Sequence, residues 1–421
     1  MTPTPRAAGV LAALALCALL LPVGVILLAV LALVAATAVD AWTVRRPPEL
    51  HRWVPSVLSR GVPVELTVEA PPTSGRLRVR QATPPDVGLD PQEAEGDLRA
   101  SLVPRRRGRH VLPALADRRE GPLGLGRWHH RVGGEEEVVV YPDLPAARRL
   151  ALAVRHGRFR EQGQRGRGPL GLGTEFESIR DYAPDDDIRQ VNWLATARMG
   201  RPMSNQYRVE QDRDVICLLD VGRLMAAPIV TDPARPADRT RLDVALDALA
   251  AVGLVADEVG DRCGAVAFDA RIRRQLTPRR RGGDAAVRAT FDLEPAAVDS
   301  DYDLAFRTVA RAKRAFVLVL SDLLEEAAAR PLVEAVPVLA RRHAVVVASV
   351  SDPELEAMVR TPPEQSLDVY RAAMALDVLN ARRRVTNLLR SAGAEVIDAR
   401  PDALGAACVR AYLRAKARAR L

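Results

Sequence analysis

The sequence is poor in aromatic residues, histidine and cysteine, and each shortage closes a route to function. Aromatic side chains make up 4% of the 421 residues. No stacking platform therefore alternates with the arginines, and nucleic acid is not an expected partner despite a formal net charge of +8. The six histidines, at 51, 110, 129, 130, 156 and 343, are scattered. The four cysteines, Cys17, Cys217, Cys263 and Cys408, have neither metal-ligand nor disulfide-framework spacing and read as buried, reduced thiols. G-x-x-x-x-G-K-[ST], H-E-x-x-H and G-x-S-x-G are all missing. Without a catalytic constellation, the chain reads as non-enzymatic.

What is present begins with an uncharged run from Ala7 to Val39. One helix crosses a hydrocarbon core in about 20 residues, so this run is too long for one untilted span. Pro22 and Gly24 fall near its middle and predict two short helices, Ala7–Leu21 and Val23–Val39, within a transmembrane hairpin over residues 1–45. Arg6 precedes the run and Arg45, Arg46 and Arg52 follow it, which places both ends, and the soluble domains after them, on the cytoplasmic face of the plasma or inner membrane. A single tilted anchor and a signal peptide cleaved after Ala36-Thr37-Ala38 are the rival readings. A signal h-region of about 7–15 residues is much shorter than this run.

Residues 46–145 read as short strands. Val64, Leu66 and Val68 alternate with charged or polar neighbours, and turn clusters such as "PPTSG" and "RVGGEEE" separate the runs. The expectation is a small antiparallel β-sandwich. Residues 146–213 form a glycine-rich basic linker and a charged segment. "GPLGLG" occurs at Gly121 and again at Gly168, but with unlike flanks, so the recurrence reads as coincidence. From 214 to 421, continuous apolar strands such as "DVICLLD" and "AFVLVLSD" alternate with helical patterns, which predicts a doubly wound α/β domain with a parallel sheet. Asp220 and Asp322 close two of those strands at the edge where such folds bind ligands.

The segment "RDYAPDDDIRQVNWLATAR" reads locally as a helix entry. Asp185 would cap, Asp186 and Asp187 would sit in the first turn, and Ile188, Val191, Leu194 and Ala195 would share a face. With its flanks it resembles the signature of the domain-of-unknown-function 58 (DUF58) family through Gly173, Glu175, Phe176, Arg180, Tyr182, Pro184, Asp186, Arg189, Trp193, Ala197 and Arg198, with Asp187 beside them. Asp185 stands where that family usually has glycine. The resemblance implies a membrane-anchored protein whose C-terminal domain is von Willebrand factor A-like (Rossmann-like), working with a MoxR-type AAA+ ATPase on a client protein.

Domains of that kind hold Mg²⁺ through a D-x-S-x-S motif, a loop threonine and a later aspartate, since a hard cation takes oxygen ligands. Here Asp220 and Asp322 remain, while Gly222 and Leu224 replace the serines and Tyr302, beside Asp303, replaces the threonine. Weak Mg²⁺ binding is the most such a set would support, and a metal-free interaction edge of Gly222, Leu224, Met225, Tyr302 and Asp303 is the main expectation. Met225 has a second reading, as packing beneath a neighbouring loop. The alternative from another class is a divalent-metal hydrolase built on Asp185–Asp187, against which Arg180, Arg189 and Arg198 would compete for the carboxylates. The same charges and Trp193 would otherwise latch the sandwich to the α/β domain.

Overall fold

A computed structural model describes residues 2–72, 75–156, 175–183, 188, 191–208, 212–230, 239–310, 312–322 and 326–418. These divide into two compact units, Met1–Val140 and Tyr141–Leu421. Together they form a mixed α/β protein with several sheets and one N-terminal helix long and apolar enough to cross a membrane.

In the first unit the apolar run forms helix α1, Pro5–Cys17, and helix α2, Val23–Thr43. Thr4 caps α1 by accepting from the Ala7 amide, with Pro5 at the first helical position, and Pro22 precedes α2. The 13 residues of α1 reach roughly 20 Å, short of a hydrocarbon core, whereas the 21 residues of α2 reach roughly 31 Å. Leu27, Leu28, Leu31 and Val34 lie exposed along α2. Both helices differ from the expected bounds. α1 stops at Cys17, and α2 runs past Val39 because Asp40 and Ala41 are buried against strand Gly126–Val132.

That anchorage gives the first "GPLGLG" a structural role. It is the turn between strands Leu115–Glu120 and Gly126–Val132, and it wraps the Asp40 carboxylate. The Leu123 amide donates to Oδ1 at 2.9 Å, and those of Leu125 and Gly126 donate to Oδ2 at 2.8 and 2.9 Å. The Thr4 hydroxyl donates to the Gly124 carbonyl from the other helix. The copy at Gly168 lies outside the described residues.

The rest of this unit is short antiparallel strands in sheets of five, four and three around one core. In Val64–Glu69, Leu66 and Val68 are buried while Glu65 and Glu69 are exposed, as the two-residue alternation requires. Leu98, Leu102, Leu112 and Val138 complete the fully buried centre.

The second unit is organised by a six-stranded sheet. In chain order its strands are β1 (Asp214–Asp220), β2 (Arg262–Phe268), β3 (Ile272–Arg280), β4 (Ala315–Leu320), β5 (Ala344–Val350) and β6 (Glu395–Ala399). The spatial order is β3-β2-β1-β4-β5-β6, parallel except for the antiparallel edge strand β3. Every residue of β1 is buried, and alternate residues feed different cores. Val215, Cys217 and Leu219 face one with helices Arg241–Val259 and Leu404–Ala417, while Ile216 and Leu218 face another with Tyr302–Ala310 and Glu326–Ala340. Period-2 side chains on a strand covered on both sides make every position apolar, which is why the run is continuous. The chain leaves β1 first toward β2 and later toward β4, so the carboxyl end of β1 sits at the switch point of the sheet.

The C-terminal helix is locked to the opposite end of the sheet. Lys416 Nζ lies 2.7 and 2.6 Å from the two oxygens of Asp261, which also accepts from the Tyr412 hydroxyl. Burial, reinforced by the Asp261 charge, pushes the Tyr412 phenol well up, so it remains a donor. Lys416→Met is expected to cost about 2 kcal/mol, because Asp261 keeps Tyr412 and the Arg213 amide. Urea unfolding followed by far-UV circular dichroism measures it, and an unchanged midpoint would contradict the latch.

Candidate functional site at the switch point

Asp220 ends β1 and is 2% exposed. Its carboxylate takes four donors. Oδ1 accepts from the Gly222 amide at 2.8 Å and the Ser300 hydroxyl at 2.5 Å; Oδ2 accepts from the Tyr302 and Ser321 hydroxyls at 2.8 and 2.7 Å. Burial, and then the Asp220 charge, push the Tyr302 phenol well up, which holds its proton on the donor side of that bond.

Asp322 follows β4 and faces guanidinium groups instead. Arg241 Nε is 3.0 Å from its Oδ2 and Arg382 Nη2 is 3.2 Å from its Oδ1. Both arginines are buried, at 4% and 3% exposure. Each reaches further: Arg241 donates to the Val350 carbonyl and Asp352, and Arg382 to Ser349 and the Val350 carbonyl. Desolvation lowers the Arg241 pKa and Asp322 opposes it, while a guanidinium stays charged at any physiological pH. Asp398, 4.0 Å from Arg382, is raised by burial, with Arg382 opposing.

The oxygens around Asp220 belong to the hard-donor class that Mg²⁺ accepts. The second carboxylate does not fit that use. Asp322 is engaged by two guanidiniums, and a cation that took it would have to displace both from a buried site. Among the described residues no group of three or more His, Cys, Asp or Glu side chains is placed to hold a metal.

The edge expected to meet a partner is narrower than its sequence suggested. Met225 is 2% exposed and belongs to the core with Leu242 and Leu246, so it offers no apolar contact outward. Tyr302 is buried on Asp220. Gly222 is dictated from inside: a Cβ there would lie 2.3 Å from the Ser300 hydroxyl oxygen and 2.9 Å from the Val298 carbonyl oxygen. Leu224 is half-buried and Asp303 exposed, which leaves these two at the surface. Sequence reasoning missed Ser300 and Ser321, although Ser300 adjoins Asp299 and Asp301 before a helix and Ser321 adjoins Asp322 at the end of β4. It also missed Arg241 and Arg382, and nothing in the run Arg382-Arg383-Arg384 distinguishes the buried arginine from its neighbours.

The charged segment forms a separate feature. Glu175–Asp181 pairs antiparallel with Met203–Arg208, so that Arg180 lies opposite Ser204, and the Tyr182 amide donates to the Pro202 carbonyl. Between the strands a helix runs from Trp193 to Met199, capped by Asn192, whose side chain accepts from the Ala195 amide, and closed by Gly200 in the left-handed region. The expected helix through Val191 is therefore corrected: Val191 makes a β-bridge to Ser204, and Asn192 opens the helix. Trp193 is 69% exposed, and Ile188, Leu194 and Met199 are exposed with it, as are Ala197 and Arg198. Gly173, Pro184, Asp185, Asp186, Asp187 and Arg189 lie outside the described residues, and Glu175 and Phe176 are placed only by their backbone in the ribbon.

Comparison with known proteins places this segment at the start of a recognised domain. The family model "Protein of unknown function DUF58" matches residues 178–365, which covers most of the ribbon, the Asp220 site and five of the six sheet strands, β1 to β5, in full. Uncharacterised proteins of Mycobacterium bovis and Mycobacterium tuberculosis are 28% identical over 190 residues, 44% of this chain and 56% of theirs. The match thus spans little more than half the length of those relatives. Among solved structures, a superoxide reductase (neelaredoxin) from Ignicoccus hospitalis aligns with 25% of this chain and 90% of its own, at 13% identity and a TM-score of 0.15, a score too low to indicate a shared fold.

Proposed function

We propose that this chain is a membrane-anchored, non-enzymatic interaction factor of the DUF58 type that works with a MoxR-type AAA+ ATPase on a client protein. The observation that carries the reading is the exposure of Trp193, Leu194 and Met199 on a short capped helix, with exposed Ile188 preceding it in the chain, at the start of the DUF58 match. A solvated tryptophan among aliphatic neighbours is costly unless a partner covers it, and tryptophan is enriched among residues that dominate binding energy. In this proposal residues 214–421 are a von Willebrand factor A-like domain, supported by its parallel sheet with one antiparallel edge strand and by an acid closing the first strand. Its metal position is replaced by internal wiring: hydroxyls satisfy Asp220, and Arg241 and Arg382 supply the positive charge beside Asp322. No cofactor is needed. The strands of Met1–Val140 form a small β-sandwich, and α1 and α2 form the membrane hairpin, with the soluble units cytoplasmic by the arginine bias around it.

Photo-crosslinking from position 193 of the intact chain in its native membranes tests the docking. Recovery of an AAA+ ATPase, reduced at least about tenfold by Trp193→Ala in affinity capture without a change in melting temperature, is the expected result. Undiminished capture by the Trp193→Ala and Leu224→Asp variants, or no ATPase among the crosslinked proteins, would overturn it.

A further inference from the structure

The end of the sheet opposite the Asp220 site holds a cavity of about 310 Å³ whose wall is strongly basic. It is built where β4, β5 and β6 begin. Arg314 immediately precedes β4, Arg341 and Arg342 lie in the turn before β5, and Arg414 and Arg418 come from the last turn and cap of the C-terminal helix. Glu395, the acidic side chain of this wall among the described residues, is paired with Arg414. Arg342 also donates to the Ala310 carbonyl at 3.4 Å. Like charges gathered this closely repel one another, so the fold alone gives no reason for the arrangement.

His343 supplies an independent observation. It is 5% exposed, lines the same cavity, and neither ring nitrogen has a hydrogen-bond partner. A neutral imidazole carries one donor and one acceptor, and leaving either buried and unmatched costs about 1–3 kcal/mol. Burial, and then the charge of Arg342, lower the His343 pKa, so the ring is neutral at physiological pH and keeps both needs. The partner this wall calls for is therefore one that accepts a hydrogen bond from the ring and is anionic enough to draw several guanidiniums together.

We propose that this cavity binds a phosphate-bearing anion, with arginines clamping its oxygens and one His343 ring nitrogen donating to a phosphoryl oxygen. A phosphate monoester, with its second ionisation near pH 6, is mostly a dianion at neutral pH and accepts hydrogen bonds at each terminal oxygen. Sulfate is a tetrahedral dianion without a phosphoryl group, which makes it the control for attraction by charge and shape alone. Guanidinium groups suit tetrahedral oxyanions through paired, planar donors. The phosphate can belong to a soluble compound or to a lipid headgroup, since the recognised chemistry is the same. This site is remote from the Asp220 edge and does not depend on the docking proposal.

The test is calorimetric titration of the full chain in phosphatidylcholine nanodiscs with inorganic pyrophosphate and with sulfate, repeated in nanodiscs containing phosphatidic acid. Pyrophosphate is expected to bind at least about tenfold more tightly than sulfate, and Arg341→Gln with Arg418→Gln, both at exposed positions, should lose at least about tenfold. His343→Leu should abolish binding yet raise the melting temperature by about 2–5 °C, because it removes two unmatched polar atoms from a buried position. A purely structural histidine would lower it. Competition between phosphatidic acid and pyrophosphate identifies the headgroup as a source; pyrophosphate binding indifferent to the lipid identifies a soluble ligand, and both support the site. Equal affinity for sulfate, no binding to either phosphate probe, binding unchanged in the variants, or binding of a short oligonucleotide alone would overturn it.

Discussion

Asp322→Ala is expected to destabilise Tyr141–Leu421 by about 3–5 kcal/mol, the cost typical of removing one partner from a buried ion pair. The loss arises less from the missing attraction than from what remains. Arg241 and Arg382 would stay in the interior, both under 5% exposed, with their charges facing each other across the vacated carboxylate. Asp322→Asn should cost nearly as much, since the amide keeps the shape but not the charge. The counter-experiment replaces all three together by Met, Met and Leu, which removes the charges along with their desolvation penalty and should recover most of the loss. Urea unfolding of the full chain in detergent, followed by tryptophan-independent circular dichroism, reads all three variants. A midpoint for Asp322→Ala within error of the wild type would mean that the network contributes nothing to stability, and the metal-free account of this edge would lose its physical basis.

Asp40→Ala should be comparably damaging to the first unit, at about 3–5 kcal/mol. Its carboxylate accepts three amide bonds from the turn at 123–126 while 1% exposed, and hydrogen bonds to a charged acceptor contribute about 1.5–3 kcal/mol each before the partners find water. Alanine leaves those amides with no acceptor at the foot of a membrane-length helix. The glycines report on the same contact. A Cβ at Gly121 would lie 2.3 Å from Asp40 Oδ1, and one at Gly126 would lie 2.4 Å from the Thr37 carbonyl oxygen, so Gly121→Ala and Gly126→Ala should loosen the same junction. The expected readout is faster proteolysis within residues 115–132 in the intact, membrane-embedded chain. Protection equal to wild type in Asp40→Ala would show that the helix and the turn do not depend on each other.

Much of the architecture was legible because it rests on local periodicity. The alternation in "VELTVEA" requires one buried and one exposed face, and it gives one. The unbroken apolar run of "DVICLLD" requires cover on both sides, and two cores provide it. The uncharged N-terminal run was legible as apolar helix, but not where its second helix ends, since that depends on Asp40 meeting a turn more than 80 residues away. The site was legible only in part. Asp220 and Asp322 announced themselves as acids closing strands, whereas Arg241 and Arg382 sit in ordinary helical patterns and become special only through what the fold brings to them.

The amino-acid sequence by itself determined the succession of elements, the parallel α/β class of the second half, the membrane-length apolar helix and the placement of two acids at one sheet edge. Each follows from interactions within a few residues: side-chain alternation, strand length and the cost of burying charge. Only the tertiary structure decided that hydroxyls and guanidiniums occupy those acids, that Met225 and Tyr302 turn inward while Trp193 turns out, and that five arginines converge on an unmatched histidine. These are contacts between residues far apart in the chain, set by strand order and helix packing, which no local pattern encodes.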